Sequence, residues 1–181
     1  MIHELASFES ATSSATTQSL LDTLSFAEHP GAPATTSGYA KTLLIYHPQS
    51  RDPQHSTTTD DESSNNPSTH THSIAGMAMY FNNYSTWDSA PGIYLEDLFV
   101  RPAYRKRGYG KLLIQGLARE CKRIGGTRVE WSCLKWNHKA LGFYASLGAE
   151  EMVEWTKLRL EGAGLNAMAE EAPESAVLGE L

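Results

Sequence analysis

The chain has 181 residues, 40% of them hydrophobic, with a formal net charge of -6 and two cysteines. That length and apolar content suit one globular domain with a single core, and no apolar run approaches the roughly eighteen residues a membrane-spanning helix needs. Of the 15 Lys and Arg, all but Lys41 and Arg51 lie between Arg101 and Arg159. A basic region in an acidic chain argues against general nucleic-acid binding, and for a polyanion at one place with a cationic or neutral ligand at another.

Residues 1–40 contain no Lys or Arg, so neither a secretory signal nor a transit peptide fits, and the chain reads as intracellular and cytoplasmic. Cys121 and Cys133, on a predicted helix and a predicted strand, read as a reduced pair. Ile2 to Phe8 has helical spacing. Leu20, Leu21, Leu24 and Ala27 predict a second short helix closed by His29-Pro30-Gly31. Lys41 to Tyr46 predicts a strand. From Pro48 to Ser73 the composition turns polar, and residues 47–73 read as a long, disordered-like insertion between strands. His47, His55, His70 and His72 there have neither helical nor hairpin spacing, so no metal site is expected.

Ile74 to Phe81 predicts a strand covered on both faces. Asn82 to Gly92 reads as a turn-rich connection, followed by a central strand from Ile93 to Val100. Strict alternation there would put Tyr94 and Glu96 on one face, Leu95 and Asp97 on the other. Lys111 to Ile124 is the strongest helix, with Leu112, Leu113, Leu117, Ala118, Cys121 and Ile124 on one side and Gly125-Gly126 ending it. Thr127 to Leu134 predicts a strand. Asn137 suits the N-cap of a helix from His138 to Leu147, which Gly148 stops. Met152 to Leu160 predicts a last strand, and 163–181 an acidic flexible tail after a single domain over 1–162. Strands and helices alternate without an internal repeat, as in a mixed α/β sheet flanked by helices.

The stretch from Leu98 to Gly110 reads Leu-Phe-Val-Arg-Pro-Ala-Tyr-Arg-Lys-Arg-Gly-Tyr-Gly, an apolar strand feeding a helix through a glycine-containing turn. Unpaired N–H groups and the peptide dipoles favour an anion at such a helix start. Gly108 and Gly110 allow close backbone approach, while Arg101, Arg105, Lys106, Arg107 and Lys111 add charge. A Walker loop would need Gly at Arg105 and Ser or Thr at Leu112, and a dinucleotide fingerprint would need Gly at Leu113. What remains is Arg105-x-x-Gly108-x-Gly110, which as a bare pattern is equally a solvated basic turn.

That pattern resembles the acetyl-coenzyme A pyrophosphate loop of the GNAT superfamily of N-acetyltransferases. Ile93-Tyr94-Leu95-Glu96-Asp97-Leu98-Phe99-Val100 before it, and Trp136-Asn137 with Phe143-Tyr144-Ala145-Ser146-Leu147-Gly148-Ala149 after it, stand in the order used there. Tyr84-Ser85-Thr86-Trp87 followed by Tyr-Leu-Glu-Asp resembles the diamine acetyltransferases, the spermidine/spermine and thialysine enzymes. The resemblance covers about residues 74 to 160, and more faintly Ile2 to Glu9 and Tyr39 to Tyr46, and implies a GNAT fold whose usual first strand is either absent or part of a longer parent product.

The same resemblance implies a set of roles. Backbone groups of Leu98, Phe99 and Val100 would hold the pantetheine arm, together with Asn137. Arg105, Lys106, Arg107, Gly108, Tyr109, Gly110 and Lys111 would cradle the pyrophosphate. Glu96 would accept the amine proton, Tyr144 would be the general acid, and Trp87 would line the acceptor site. Each has a plainer alternative: charged residues at a strand end, a core aromatic, a helix cap, hairpin packing. The implied activity is acetyl transfer from acetyl-coenzyme A to a small primary amine by a metal-free homodimer, with no nucleic-acid or membrane partner. The alternatives are an amino-acid or protein-lysine acceptor, or a coenzyme-binding module without turnover.

Overall fold

A computed structural model of the chain describes residues 1–25, 38–48 and 73–170. It falls into two compact units, Met1–Asn137 and His138–Leu181. The insertion between Pro48 and Ser73, with His55, His70 and His72, lies outside the described residues, as do Ala27, His29-Pro30-Gly31 and the end of the acidic tail.

The first unit opens with α1 (Ile2–Phe8), as its apolar spacing predicts, and α2 (Thr17–Thr23). The second helix ends before Leu24, an extended residue bridged to Ala40, and so is shorter than the helix expected through Ala27. Thr16 caps α2: its side chain accepts from the Ser19 N–H, and Ser19 returns the bond to the Thr16 N–H. Four strands follow in the order β1 (Lys41–His47), β2 (Ser73–Ser85), β3 (Ala90–Val100) and β4 (Val129–Trp131), forming one mixed sheet. The β1–β2 and β2–β3 pairs are antiparallel and β3–β4 is parallel.

The connection expected over Asn82–Gly92 is in fact a hairpin. β2 continues to Ser85, four residues turn, and β3 begins at Ala90. Polar residues in the arms, such as Asn83 opposite Gly92, disguised it. A side chain at position 92 would collide with the Asn83 amide oxygen, so glycine there lets the arms close.

Helix α3 (Tyr109–Arg123) crosses the sheet and buries Leu113, Leu117 and Cys121, spaced one turn apart, against Ala78, Tyr80, Ile93 and Leu95. Burying a side chain of the size of Leu117 stabilises by about 1.5–3 kcal/mol. On the other face, α1 places Leu5 against Met77 and Phe99.

The register between β2 and β3 changes once. Met79 pairs with Asp97 and Tyr80 with Leu95, which leaves Glu96 without a cross-strand partner, a β-bulge. Ile93 and Leu95 face α3 before it; Leu98 and Val100 pack toward that same core after it. The strict alternation expected from the sequence therefore fails at Glu96: Asp97 shares the α1 face with Phe99, not the α3 face with Leu95.

β4 is much shorter than the strand expected over Thr127–Leu134. It pairs only with Ile93–Leu95, and the bulge begins at the next residue of β3. The second unit contains α4 (His138–Ser146) and α5 (Gly162–Glu170). Its segment 152–160, expected as a strand, has no sheet partner and leaves Met152, Val153, Trp155, Leu158 and Leu160 exposed. α5 occupies the start of the segment expected as an acidic flexible tail over 163–181, whose residues 171–181 lie outside the described residues; Leu165 and Met168, at helical spacing, are the signal for it. No helix among the described residues is long and apolar enough to cross a membrane.

Candidate active site

Two features of β3 meet beyond Leu95. One edge of residues 97–100 stays paired with β2, while the other has left β4. Main-chain groups alternate between the two edges of a strand, and the Arg101 N–H bonds the Ala75 carbonyl on the β2 side. Those of Phe99 therefore face β2, while those of Leu98 face the second edge, offered to an extended ligand as at any open sheet edge. Immediately after this edge the chain makes a short 3-10 turn, η1 (Pro102–Tyr104), then the loop 105–108, then α3.

The loop has an unusual backbone. Lys106 sits at φ 62° and Gly108 at φ 80°, both left-handed. For lysine that conformation costs about 1–2 kcal/mol, so surrounding structure must hold it. Left-handed residues interleaved with ordinary ones turn successive N–H groups to one side and form an anion-binding concavity. Gly108 is also the N-cap of α3, with the unpaired donors of the first turn just behind it. Arg105, Lys106, Arg107 and Lys111 are exposed around it. Gly110 lies inside the first helical turn. A pyrophosphate group suits this donor set and charge.

Two of the expected basic residues are otherwise engaged. Arg105 donates from Nε to the Val100 carbonyl at 2.8 Å, with its guanidinium 5.3 Å from the Phe8 ring centre and 5.7 Å from that of Phe99. Arg101 pairs with Glu4 at 2.9 Å, which takes its charge away from the loop. Phe8, Phe99 and Arg105, with His3, Glu4, Ser7 and Pro102, line an open pocket of about 490 Å³ between α1 and the loop. The α1 residues of this pocket were not singled out in the sequence. Helical spacing identified the helix, but not what its side chains would meet far along the chain.

The carboxylates divide at the bulge. Glu96 is exposed. Asp97 is half-buried, and its pKa is raised by desolvation first, then by repulsion from Glu96 and Glu9. Burial, followed by the Glu9 charge, likewise raises the Cys133 thiol. Tyr94, next to Leu95, donates to or accepts from Ser132 through its hydroxyl at 2.8 Å and stacks on Phe81 at 5.2 Å.

Trp87 is 87% exposed in the β2–β3 turn. It is separated from Glu96 by the length of β3 from Ala90, about 20 Å at about 3.3 Å per residue. Asp88 beside it accepts from Thr127 and Arg128, and Arg128 also bonds Glu130, so the hairpin tip is tied to the start of β4. Asn137 ends the first unit and directly precedes α4, its N–H bonded to the Leu134 carbonyl at 2.9 Å. Tyr144 lies in the second unit on α4, half-buried, its ring 5.3 Å from that of Phe143.

Comparison with known proteins agrees with this architecture. Residues 30–149 match the acetyltransferase (GNAT) family, and the chain belongs to that family. It is 40% identical over 95 residues to L-ornithine N5-acetyltransferase NATA1 of Arabidopsis thaliana, covering 52% of this chain and 42% of that protein. It is 34% identical over 99 residues to the thialysine N-epsilon-acetyltransferase of Bos taurus, covering 53% and 58%. The chain thus spans about half the length of these curated relatives. An integron cassette protein of V. cholerae, VCH_CASS6, has a similar structure, with a TM-score of 0.52 and 32% identity over 54% of this chain and 60% of that one.

Proposed function

We propose that this chain transfers acetyl from acetyl-coenzyme A to a primary amine of a small cationic acceptor, a diamine or a thialysine-like amino acid. The observation that carries the reading is the open edge of β3 beyond the Glu96 bulge, leading directly into the left-handed loop at Lys106 and Gly108. Family membership and the names of the relatives support it.

In this reading the coenzyme supplies the acyl thioester. Main-chain groups of Leu98 and Val100, with the Asn137 side chain, hold its pantetheine arm; the Val100 carbonyl is shared with Arg105. Loop N–H groups from Arg105 to Lys111 and the charges of Lys106, Arg107 and Lys111 take the pyrophosphate. A primary alkylamine with a pKa near ~10.4 arrives protonated at neutral pH, so a carboxylate must receive its proton, directly or through water. Glu96 takes that role, and Tyr144 supplies the proton for the leaving sulfur. Trp87 offers a face to the far end of an elongated cation. A single domain over 1–162 and a cytoplasmic homodimer with neither a nucleic-acid nor a membrane partner complete the proposal.

A second reading for the base is Asp97, because it is the carboxyl whose proton affinity the fold raises, and a base works best with a pKa moved toward the operating pH. One rival at the level of function is a coenzyme-binding unit without turnover.

Thiol release from acetyl-coenzyme A tests the reading, run against ornithine, thialysine, lysine, spermidine, putrescine and a histone-tail peptide, with calorimetric coenzyme binding alongside. Turnover with small cationic amines is expected. Turnover only with the peptide moves the acceptor to protein lysine, binding without turnover selects the non-catalytic unit, and no binding removes the loop assignment.

A further inference from the structure

His47 ends β1 beside the loop, 62 residues before its hydrogen-bond partner Tyr109. Its Nδ1 lies 2.7 Å from the Tyr109 hydroxyl. Its ring centre is 5.0 Å from that of Tyr104 and 6.1 Å from that of Tyr109, tilted by 43° and 59°. Tyr104 is the last residue of the 3-10 turn entering the loop, and Tyr109 the first residue of the helix leaving it. One half-buried imidazole therefore touches the aromatic residue on each side of loop 105–108.

That loop needs holding. Its left-handed Lys106 is a conformation the chain would leave if nothing opposed it. The bonds within the segment, Tyr104 N–H to Arg101, Arg105 N–H to Pro102 and Arg105 Nε to Val100, anchor its entry to the end of β3. They do not hold its exit at Tyr109. The His47 contacts tie entry and exit to each other and to β1, which is itself paired with β2 along its length.

We propose that His47 is the positioning residue of the phosphate loop, clasping Tyr104 and Tyr109 so that the loop's N–H groups are set for a phosphate before one arrives. The inference rests on the reading of loop 105–108 as the coenzyme site. A loop already ordered pays less entropy on binding, so the clasp acts on affinity. The hydrogen bond contributes orientation and the rings contribute packing, which makes the two separable by substitution.

The test is calorimetric titration of coenzyme A into the full chain, with thermal melting and steady-state kinetics in parallel. His47→Ala is expected to raise the coenzyme Kd and the KM for acetyl-coenzyme A about tenfold, with kcat at saturation within about twofold and the same cooperative melt. His47→Asn, which keeps a hydrogen-bonding atom near the Nδ1 position, recovers part of that loss. Tyr109→Phe weakens binding less than His47→Ala, and the double variant His47→Ala/Tyr109→Phe binds no worse than His47→Ala alone. Wild-type affinity in His47→Ala overturns the clasp, as does a double variant with fully additive losses, or a fall in kcat and melting temperature with Kd unchanged. Failure of the underlying reading has a different signature: Gly108→Val then binds coenzyme A normally, or the wild-type chain does not bind it.

Discussion

Arg101 and Glu4 are 97 residues apart in sequence and joined in the fold. Arg101 Nε lies 3.2 Å and 3.1 Å from the two Glu4 carboxylate oxygens, and its NH2 group 2.9 Å from the first of them. The third nitrogen donates to the Ile74 carbonyl at 3.1 Å. One guanidinium thus fastens α1 to the end of β3 and the start of β2, on the wall of the pocket beside the loop. The Arg101 hydrogen bond is also the leading cause of the depressed Glu4 pKa.

Glu4→Gln is expected to lower stability by about 0.5–1 kcal/mol at neutral pH, a modest figure because both side chains are substantially exposed. The sign of the pH dependence follows from the depressed pKa. The stabilisation is complete above the ordinary carboxylate range and is lost as pH falls through the lower folded value. Melting curves of wild type and variant should therefore converge in acid. Equal gaps at pH 7 and in acid would show that the bond contributes packing alone.

Asp97→Asn should have the opposite sign. A carboxyl with a raised folded pKa binds its proton more tightly in the fold than in the unfolded chain, so stability falls as pH rises from the ordinary Asp value through the raised one. At pH 7 the substitution removes a half-buried charge repelled by Glu96 and Glu9, and the melting temperature rises by a few degrees. In acid, where Asp97 is already protonated, the gain disappears. A loss of stability at pH 7 would reveal a favourable contact for the carboxylate that outweighs burial.

Gly108→Ala isolates backbone conformation. A Cβ there meets nothing within 4 Å, yet φ is 80°, so the cost is conformational, about 1–2 kcal/mol. Coenzyme binding weakens along with stability, as calorimetry and melting together would register. Gly108→Asn is expected to lose less of both, because Asn tolerates the left-handed region. An equal loss in the two variants would mean that the side-chain space, and not φ, matters.

Glu96→Gln should lower turnover by about 10²–10⁴-fold while coenzyme affinity stays within about twofold, and Tyr144→Phe should cost one or more orders of magnitude. Activity that survives in Glu96→Gln and falls in Asp97→Asn would transfer the base role across the bulge. Unchanged turnover in Tyr144→Phe would remove the general acid from the mechanism.

Much was legible without coordinates. Of the apolar face expected for α3, Leu113, Leu117 and Cys121, one turn apart, are buried, whereas Leu112 and Ala118 are exposed, because apolar type alone does not fix how wide the buried stripe is. Arg105-x-x-Gly108-x-Gly110 marks the loop because its backbone requirement is local, as the left-handed Gly108 shows. The hairpin at residues 86–89, the short β4 and the non-strand segment 152–160 depart from the sequence expectation for a common reason. Alternation shows that a strand is possible, whereas its length depends on a partner elsewhere in the chain.

Family and order of the main elements were therefore legible in the sequence alone, and the residues proposed for the loop, the acid and the base were named from it, since each is written in residue types at short spacing. Only the tertiary structure decided which face each β3 side chain occupies, because the Glu96 bulge arises from register against Met79 and Tyr80. The same holds for Arg101, whose charge Glu4 takes up, and for His47, whose place beside Tyr104 and Tyr109 comes from the sheet carrying β1 to the start of α3. Contacts between residues so far apart, His47 and Tyr109 by 62 positions and Glu4 and Arg101 by 97, leave no periodicity in the sequence, and the geometry of the loop depends on them.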